Sequence, residues 1–591
     1  MLRPSIFYCA ARGDEISCFA TPLARDESQA TRYFKDSRTN PNTTRTRTSL
    51  GGYMRITNTM ITNNTKANIN SNKLLVDKYN TQMTTQKKIA KASENPVIAI
   101  RSLRLSTTLS HINQYVDNNI PDASAWMDVT ETALTNMKDL LTDIRTHCVN
   151  GSTDTLNQED RKTILDGLKA LSNQVYAEGN ADYAGKTVFT GYRTTSNLTF
   201  DEEELDTRYR ISQTFDYSDL EEKRYYTGDV AVPEAVVTGS ADPTKDTQAC
   251  TTTIAENTYE RIRLAYNGDT QVNGFSYTYM DENRVQQTVS FNRNEQVDQT
   301  TGETIVTYPE ANNLTNPTFT VYETEQAWEE AKQAAGEAGK VVGDDEIIYI
   351  EQTGEFLFGK NVANTISDGR AEIGVSYEKQ GFAKGELRPE YYYDCTDMSD
   401  DDQTKWVTYK KENQEIHYTV SNNADITINT QADSVFDSSI ARDVDELVNV
   451  VQKSIDAHNK VAKIEEMMSE AQYQDEKSQE ILSGYLDAAK KEADFADDNL
   501  QKTYEAYIGR FDKYLEKTNI AITNVGSVKN SLRLTQTRVE NQQMTLEELK
   551  SDNEDRDISD IIIDYYASYN AYQSSLTAAG KLGQSKLLDY I

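Results

Sequence analysis

Two stretches near the C-terminus carry apolar residues at alternating spacings of three and four, and this pattern constrains the fold more than any other. The first stretch places on one helical face Val525, Val528, Leu532, Thr535, Val539, Gln542, Leu546 and Leu549. The second places on one face Ile558, Ile562, Tyr565, Tyr569, Tyr572, Leu576 and Ala579. Because a lone helix would leave such a stripe in water, each stretch predicts a partner helix. The pattern therefore predicts long terminal helices that pair into a coiled-coil rod.

The N-terminal part of the chain supplies candidate partners for these helices. Ile69, Val76 and Met83 recur every seven residues and predict a first amphipathic helix. This helix is rich in Asn and Thr, which are mediocre helix formers, so we expect it to become ordered only against a neighbour. Asn95 is a suitable cap for the next helix and Pro96 a suitable first residue, since the missing N–H of proline costs nothing there.

That second helix is predicted to extend to Cys148, with a kink at Pro121. Its apolar face comprises Leu109, Ile112, Val116, Ile120, Ala123, Trp126, Thr130, Leu134, Met137, Leu141, Ile144 and Cys148. A third helix is predicted from Asn157 to about Val175. Helices resume at Arg442 and are predicted to continue to Asn524. The two C-terminal helices that carry the apolar stripes follow, and residues 551–555 separate them from each other.

The middle of the chain is predicted to form strands. Within 183–192 the apolar period changes from near 3.6 to two, which marks the start of a strand-rich region. Short strands are predicted at 304–308, 319–322 and 347–350, with a hairpin at Gly354 and one helix around Trp328. The predicted fold class is therefore mostly α with a β-rich insertion. The predicted ranges are an extension (1–53), an N-terminal helical region (54–193), an outer domain (194–437) and a C-terminal helical region (438–591).

Composition excludes several classes of function. The formal net charge of −33 would repel phosphates, which argues against nucleic acid and against anionic membrane surfaces as partners. No window approaches about eighteen apolar residues, so no membrane insertion is predicted. The odd set of Cys9, Cys18, Cys148, Cys250 and Cys395 contains no C-x-x-C pair, which predicts neither a disulfide framework nor a zinc site.

Residues 1–53 differ from everything after them. They are mildly basic and show neither helical nor strand periodicity. We predict that translation begins at Met54, because Gly51–Tyr53 is what an in-frame ribosome-binding site would encode. The alternative is a targeting or regulatory arm.

No constellation of residues predicts catalysis. His111, His147, His417 and His458 are scattered along the sequence, and the Asp397–Asp402 cluster lacks calcium-loop spacing. The glycines near Lys340 lack the spacing and the hydroxyl of a phosphate loop. We predict no enzyme, no metal and no cofactor.

Several segments resemble hook-associated protein 3 of bacterial flagella, the family of the hook–filament junction. In the terminal regions these are Met54–Met60, Gln82–Ile89, Ala92–Pro96, Phe189–Thr194, Asn524–Gly526, Arg538–Gln542, Leu549–Asp557, Ala571–Leu576 and Leu587–Ile591. In the middle, 381–390 looks like the larger outer domain of clostridial members. Gln86 stands where the family usually has glycine, and Glu94 and Asn95 stand where it has two aspartates.

The resemblance implies a structural subunit that forms the junction between hook and filament and templates flagellin polymerisation. The implied partners are the first hook–filament junction protein, flagellin, further copies of itself in a ring-like homo-oligomer, and a flagellar export chaperone with the type III export apparatus. The implied location is extracellular, at the hook–filament junction, reached without a cleaved signal peptide.

Two alternatives stay open. A flagellin-type filament subunit shares the terminal helical plan, although Pro96 and the Leu587–Tyr590 ending look like the junction protein. A coiled-coil surface protein unrelated to flagella would need another export signal.

We predict that the terminal helices form the assembly interface. The predicted interface residues are Ile69, Val76, Met83, Val525, Leu532, Val539, Ile562, Tyr565, Tyr569 and Leu576.

Overall fold

The computed structural model describes residues 57–152, 158–237, 247–252, 254–281, 283–297, 304–311, 317–337 and 339–584. Residues 1–53, the predicted start at Met54, the predicted cap Asn157 and the Leu587–Ile591 ending lie outside the described residues. The described residues form two compact units, one of 57–84 with 558–584 and the other of 85–557.

Helices make up both ends of the described chain. They are α1 (Asn58–Thr85), α2 (Pro96–Gln114), α3 (Ile120–Gly151), α4 (Gln158–Ala177), α5 (Glu325–Ala334), α6 (Lys360–Asp368), α7 (Ser439–Ser469), α8 (Glu476–Glu554) and α9 (Ile558–Gln584).

Strands lie between α4 and α7. The earlier ones are β1 (Asp182–Tyr183), β2 (Lys186–Thr187), β3 (Glu204–Asp216), β4 (Glu221–Thr227), β5 (Ala255–Arg263), β6 (Thr270–Met280), β7 (Gln286–Asn292), β8 (Asn294–Val297) and β9 (Thr304–Thr307). The later ones are β10 (Thr318–Tyr322), β11 (Glu346–Ile350), β12 (Glu355–Phe358), β13 (Glu372–Phe382), β14 (Asp394–Asp397), β15 (Val407–Tyr409), β16 (His417–Ser421) and β17 (Ala424–Thr427). The fold is therefore mostly helical with a strand-rich region, as predicted, while the exact domain boundaries stay predictions.

The start of α2 follows the predicted capping chemistry. The Asn95 side chain accepts hydrogen bonds from the amides of Val97 and Ile98, and Pro96 occupies the first turn. These bonds satisfy N–H groups that have no partner inside the helix. The predicted cap is confirmed.

A π-helical turn joins α2 to α3 directly before Pro121. The turn spans Tyr115–Asn119, and the amide of Ile120 donates to the carbonyl of Tyr115, five residues earlier. Because Pro121 has no N–H to donate, the regular ladder of α-helical bonds cannot pass through it. The wider turn takes the place of the predicted kink.

Helix α8 corrects one prediction. It was predicted to be interrupted near Asn524, but it is one helix of 79 residues that ends at Glu554. At about 1.5 Å per residue, its length is on the order of 120 Å. Instead of a break near Asn524, the helical region is interrupted between α7, which ends at Ser469, and the start of α8. Asp475 caps α8 by accepting a hydrogen bond from the amide of Ser478.

Two antiparallel-rich sheets share the core of the strand region. One has the strand order β15–β14–β3–β13–β6–β7, and the other has the order β10–β11–β12–β5–β4. Phe275 on β6 and Phe356 on β12 stack at 4.9 Å between ring centroids, so aromatic rings fill the space between the sheets. The predicted hairpin at Gly354 joins β11 to β12. Trp328 is buried on α5 as part of a smaller cluster, and α6 is a second helix in this region that periodicity did not predict.

Candidate assembly surfaces

The two ends of the 85–557 unit form a long antiparallel helix pair, with α2 and α3 on one side and α8 on the other. Side-chain contacts follow this pairing from one end to the other in a steady register. They are Arg145–Asp512, Met137–Thr518, Glu131–Lys529, Asn113–Gln543 and Ser102–Glu554. Each step towards the N-terminus on α3 and α2 is matched by a similar step towards the C-terminus on α8. The predicted partner for the first C-terminal stripe is therefore a helix of the N-terminal region.

This pairing places three of the predicted interface residues inside the protein. Val525, Leu532 and Val539 are all buried, and Val525 and Leu532 belong to the main helical core. The three-and-four spacing identified the apolar face of α8 correctly. Because the same chain already covers that face, these residues are not an open surface for a neighbouring subunit, and their assignment to direct subunit contacts is corrected.

The other predicted interface residues lie in the unit of 57–84 and 558–584. Ile69, Val76 and Met83 are half-buried on α1, and Tyr565 is half-buried on α9. The remaining three, Ile562, Tyr569 and Leu576, are exposed large apolar side chains on α9.

The contact between these two helices is polar at one point. The Asn72 amide on α1 donates to the carbonyl of Ala571 on α9 at 3.3 Å. Their exposed apolar residues, among them Leu74, Ile563 and Tyr566, leave apolar area on both helices open to water. An area of this kind marks an interaction surface when it is contiguous.

A short backbone bridge, which we call the clasp, joins 86–88 to 554–556. The amide of Lys88 donates to the carbonyl of Glu554 at 2.6 Å, and the amide of Arg556 donates to the carbonyl of Gln86 at 2.9 Å. Gln86 has a φ of 57°, in the left-handed region that favours glycine. This is the position where the family resemblance leads one to expect glycine.

Charged side chains reinforce the clasp. The Lys87 ammonium donates to Asp555 Oδ1 at 2.5 Å and to Glu554 Oε2 at 3.1 Å. Hydrogen bonds from Lys87 and Ser551 lower the pKa of the Asp555 carboxyl. Ser102 also donates to Glu554, which connects the clasp to the first turns of α2.

A buried ionic network connects the strand region to α7 and α8. Arg261 on β5 donates to Glu355 on β12 at 2.8 Å, with both side chains at least 97% buried. Arg261 also lies 3.3 Å from Glu446 on α7. Burial alone would raise the pKa of Glu446, but the charges of Lys223 and Arg261 outweigh it and hold that pKa well below its usual range. Opposite charges at this depth compensate one another.

The same network reaches α8 through Arg510. Its guanidinium lies 2.8 Å from Asp443 on α7 and 2.5 Å from Glu221 on β4. Arg263 pairs with both of these carboxylates. Burial by itself would raise the pKa of Glu221, but the three arginines outweigh it and lower that pKa to about 2. Sequence reasoning missed this network because its members are far apart along the chain.

Sequence reasoning also missed two outward helix faces in the 85–557 unit. On α2, Val97, Ile100 and Leu103 are 75%, 54% and 67% exposed. On α8, Leu534 and Met544 are 63% and 59% exposed. Neither face could have been found from the sequence. An apolar side chain is exposed only where no other element covers that side of its helix, and the sequence does not show which side is covered.

Within the described ranges, no three His, Cys, Asp or Glu side chains are grouped as ligands of a metal ion would be. Cys148 and Cys395 are buried and Cys250 is half-buried, each with a free thiol. A search of the described helices finds none long and apolar enough to cross a membrane.

Comparison with known proteins identifies relatives of the N-terminal part. Residues 56–194 match the family of the bacterial flagellin N-terminal helical region. Flagellar hook-associated protein 3 of Escherichia coli (strain K12) is 26% identical over 118 residues, which are 20% of this chain and 37% of that protein. The match therefore spans well under half the length of the curated relative. The resemblance to hook-associated protein 3 is confirmed by these findings.

Solved structures of flagellar proteins are also similar. A putative flagellar hook-associated protein from Vibrio parahaemolyticus has a TM-score of 0.29 at 11% identity, covering 78% of this chain and 100% of that one. The flagellar hook-associated protein-3 from Legionella pneumophila has a TM-score of 0.25 at 10% identity, covering 76% of this chain and 98% of that one.

Proposed function

We propose that this chain is a structural subunit of the bacterial flagellum that forms the junction between hook and filament. The observation that carries the proposal is the match of 56–194 to the flagellin N-terminal helical region, within which α2 and α3 pair along their length with α8. A protein in which helices of its N-terminal and C-terminal regions form one long pair suits a role as a subunit of a fibre. The role is structural rather than catalytic.

The pairing of the terminal regions supports a rod. Contacts between α3 and α8 are followed along the rod by contacts between α2 and α8, as far as the clasp. The apolar stripe of α8 faces α2 and α3. We propose that the pair is a coiled coil and that the ranges 54–193, 194–437 and 438–591 are the functional regions of the protein.

The accessible terminal residues are the proposed contacts with neighbouring subunits. These are Ile69, Val76, Met83, Ile562, Tyr565, Tyr569 and Leu576. A neighbour that covers them would remove apolar area from water, so assembly would supply stability that a single subunit lacks. Val525, Leu532 and Val539 belong to the other unit, 85–557, where they are buried on α8.

The proposed partners follow from the junction role. They are the first hook–filament junction protein on one side, flagellin on the other, and further copies of this chain in a ring. The subunit would reach the outside through the flagellar type III apparatus with an export chaperone, and would present a surface on which flagellin polymerises.

Deletion of the gene tests the proposal. Electron microscopy of the mutant cells should show hooks without filaments, and the medium should contain flagellin monomer. Reintroduction of the intact gene is the control and should restore filaments. Normal filaments in the deletion strain would reject the junction role.

A flagellin-type filament subunit is the second candidate. It is favoured by the match of residues 56–194 to a family that is named after flagellin. Such a subunit would be abundant along the filament, and its loss would shorten or remove filaments without releasing another flagellin into the medium. The same experiment therefore separates the two candidates.

A further inference from the structure

The π-helical turn at Tyr115–Asn119 lies where the helical part of the 85–557 unit changes in thickness. On one side of the turn, α3 packs on α4 and α8, and α7 packs on both of these, so four of the described helices share one core. On the other side, α2 packs along α8. Among the residues of α2, all of which the structure describes, Ile112 alone is buried. We call α2 together with the facing residues 540–554 of α8 the two-helix segment.

The turn is a point at which the continuous α2–α3 helix can bend. The Ile120 amide donates to the Tyr115 carbonyl, five residues earlier, and Pro121 has no N–H to donate. Sharp bends in helices occur at such irregularities in the hydrogen-bond ladder. Helix α8 passes the turn without a break, so the two-helix segment can bend only as far as α8 curves.

The β16–β17 hairpin touches both helices beside this turn. The Asn119 side-chain amide donates to the Thr419 carbonyl of β16 at 2.7 Å. The Arg538 guanidinium on α8 donates to Ser421 Oγ, at the end of the same strand, at 3.2 Å. Val420, between these two strand residues, is fully buried in the core that α3 and α8 share. Three consecutive residues of one strand therefore contact the π turn, the core and α8.

These contacts hold the two helices at one level. Thr419 and Ser421 are two residues apart along the strand, which is on the order of 7 Å. Their partners Asn119 and Arg538 are therefore fixed close to each other across the helix pair. The hairpin adds a third element at the place where the four-helix core ends and the two-helix segment begins.

We propose that the β16–β17 hairpin is a brace that fixes the angle of the two-helix segment at the π turn. The turn provides the place where the helix pair bends, and the hairpin holds it in one position. Displacement of the hairpin from the two helices frees the segment, so the fold contains a switch between a braced and a free form. The inference concerns the stiffness of a single chain and does not depend on the junction role.

Hydrogen exchange of the purified full chain tests the brace at the turn. Asn119→Ala removes the bond to Thr419, and Arg538→Ala removes the bond to Ser421. Each substitution should speed exchange of the backbone amides in 115–123 about threefold to tenfold, the effect of losing one hydrogen bond. Alanine is a better helix former than asparagine, so helix propensity alone predicts slower exchange in Asn119→Ala. The direction of the change therefore separates the two effects.

Neighbouring residues of the same type provide matched controls. Asn118→Ala makes the same substitution one position earlier in the π turn, at an exposed side chain that bonds to none of the described residues. It should leave exchange unchanged or slow it. Arg533→Ala removes an exposed arginine of α8 that bonds to Asn530 on its own helix, and it should leave exchange in 115–123 unchanged.

Double electron–electron resonance measures the bend itself. Spin-labelled p-acetylphenylalanine replaces Leu103 on α2 and Asp139 on α3, which are both exposed and lie roughly 50 Å apart along the helix. The original protein should give one narrow distance distribution. The chain with both Asn119→Ala and Arg538→Ala should give a broader distribution that extends to shorter distances, and Asn118→Ala should keep the narrow one.

Faster exchange together with a broader distance distribution supports the brace. Three results would overturn it. The first is exchange in 115–123 that is no faster in Asn119→Ala and Arg538→Ala than in their controls. The second is a distribution in the double variant as narrow as in the original protein, which would show that α8 alone holds the segment at its angle. The third is a broad distribution in the original protein, since the hairpin would then not fix the angle.

Discussion

Gln86 holds a backbone conformation that its side chain disfavours. With its φ of 57°, the Gln86 carbonyl accepts a hydrogen bond from the amide of Arg556. The amide of Lys88, two residues later, donates to the carbonyl of Glu554. A residue with a Cβ loses about 1–2 kcal/mol in the left-handed region relative to its usual conformation. The clasp therefore keeps a cost at this residue that its hydrogen bonds and the Lys87 ion pairs offset.

Replacing Gln86 with glycine should tighten the clasp. We expect Gln86→Gly to stabilise the closed clasp by about 1 kcal/mol, because the strain is removed while no buried side chain is lost. Gln86→Val should loosen it, since a β-branched residue tolerates positive φ poorly. Hydrogen exchange at the Lys88 and Arg556 amides measures the change. Faster exchange in the glycine variant would contradict this account.

Glu221 should make stability depend on pH at the acidic end. Its pKa is about 2 in the folded protein against an ordinary value of 4.5, so folding favours the ionised form. That stabilisation is fully present above pH 4.5 and is lost as the pH falls towards 2. The shift corresponds to about 3 kcal/mol at neutral pH.

Urea unfolding at several pH values between 7 and 3 measures this effect. The difference in unfolding free energy between the original chain and Glu221→Gln should be constant above pH 5 and should shrink below 4.5. A difference that is constant down to pH 3 would show that the arginines do not stabilise this carboxylate.

At the scale of secondary-structure elements, the buried faces of the helices could be predicted from the sequence. The elements that pack against those faces could not. The spacing of Leu532 and Val539 correctly identified the buried face of α8. The same spacing cannot tell whether another helix of the chain or another subunit covers it, because both remove the stripe from water. The Arg261–Glu355 pair was unpredictable for a related reason, since single charged residues on strands carry no periodic signal.

Length decided other outcomes at this scale. Long helices such as α3 and α8 repeat their pattern over many turns, so they were found, although the uninterrupted passage of α8 through Val525 was missed. Helix α6 has only 9 residues, too few for a helical period to stand out from its surroundings. The π-helical turn was expected only as a kink, because Pro121 predicts a broken ladder but not the form that the break takes.

Leu532 and Leu534 provide a matched test of which face of α8 is internal. Leu532 is 2% exposed and Leu534 is 63% exposed, and they are two residues apart on the same helix. We expect Leu532→Ala to destabilise the 85–557 unit by about 2–5 kcal/mol through the cavity it leaves. Leu534→Ala should change stability by less than about 0.5 kcal/mol. Thermal and urea unfolding measure both, and equal effects would contradict the antiparallel pairing.

At the scale of the molecule, the chain combines a helix pair made from both of its ends with a sheet region held by buried charge. Arg510 and Asp443 belong to the helices, and Glu221 and Arg263 belong to the strands, so the network fixes one part against the other. A connection of this kind would suit the proposed junction role, in which the subunit keeps a defined shape between two different neighbours. The exposed apolar faces then mark where those neighbours are expected.

The position of the protein on the flagellum tests the junction role most directly. Immunogold electron microscopy with an antibody against the 194–437 region should label one narrow band where hook meets filament, in cells that carry complete flagella. The deletion strain serves as the control for antibody specificity. Label spread along the whole filament would contradict the junction role and identify a filament subunit, and label away from the flagellum would contradict a flagellar role altogether.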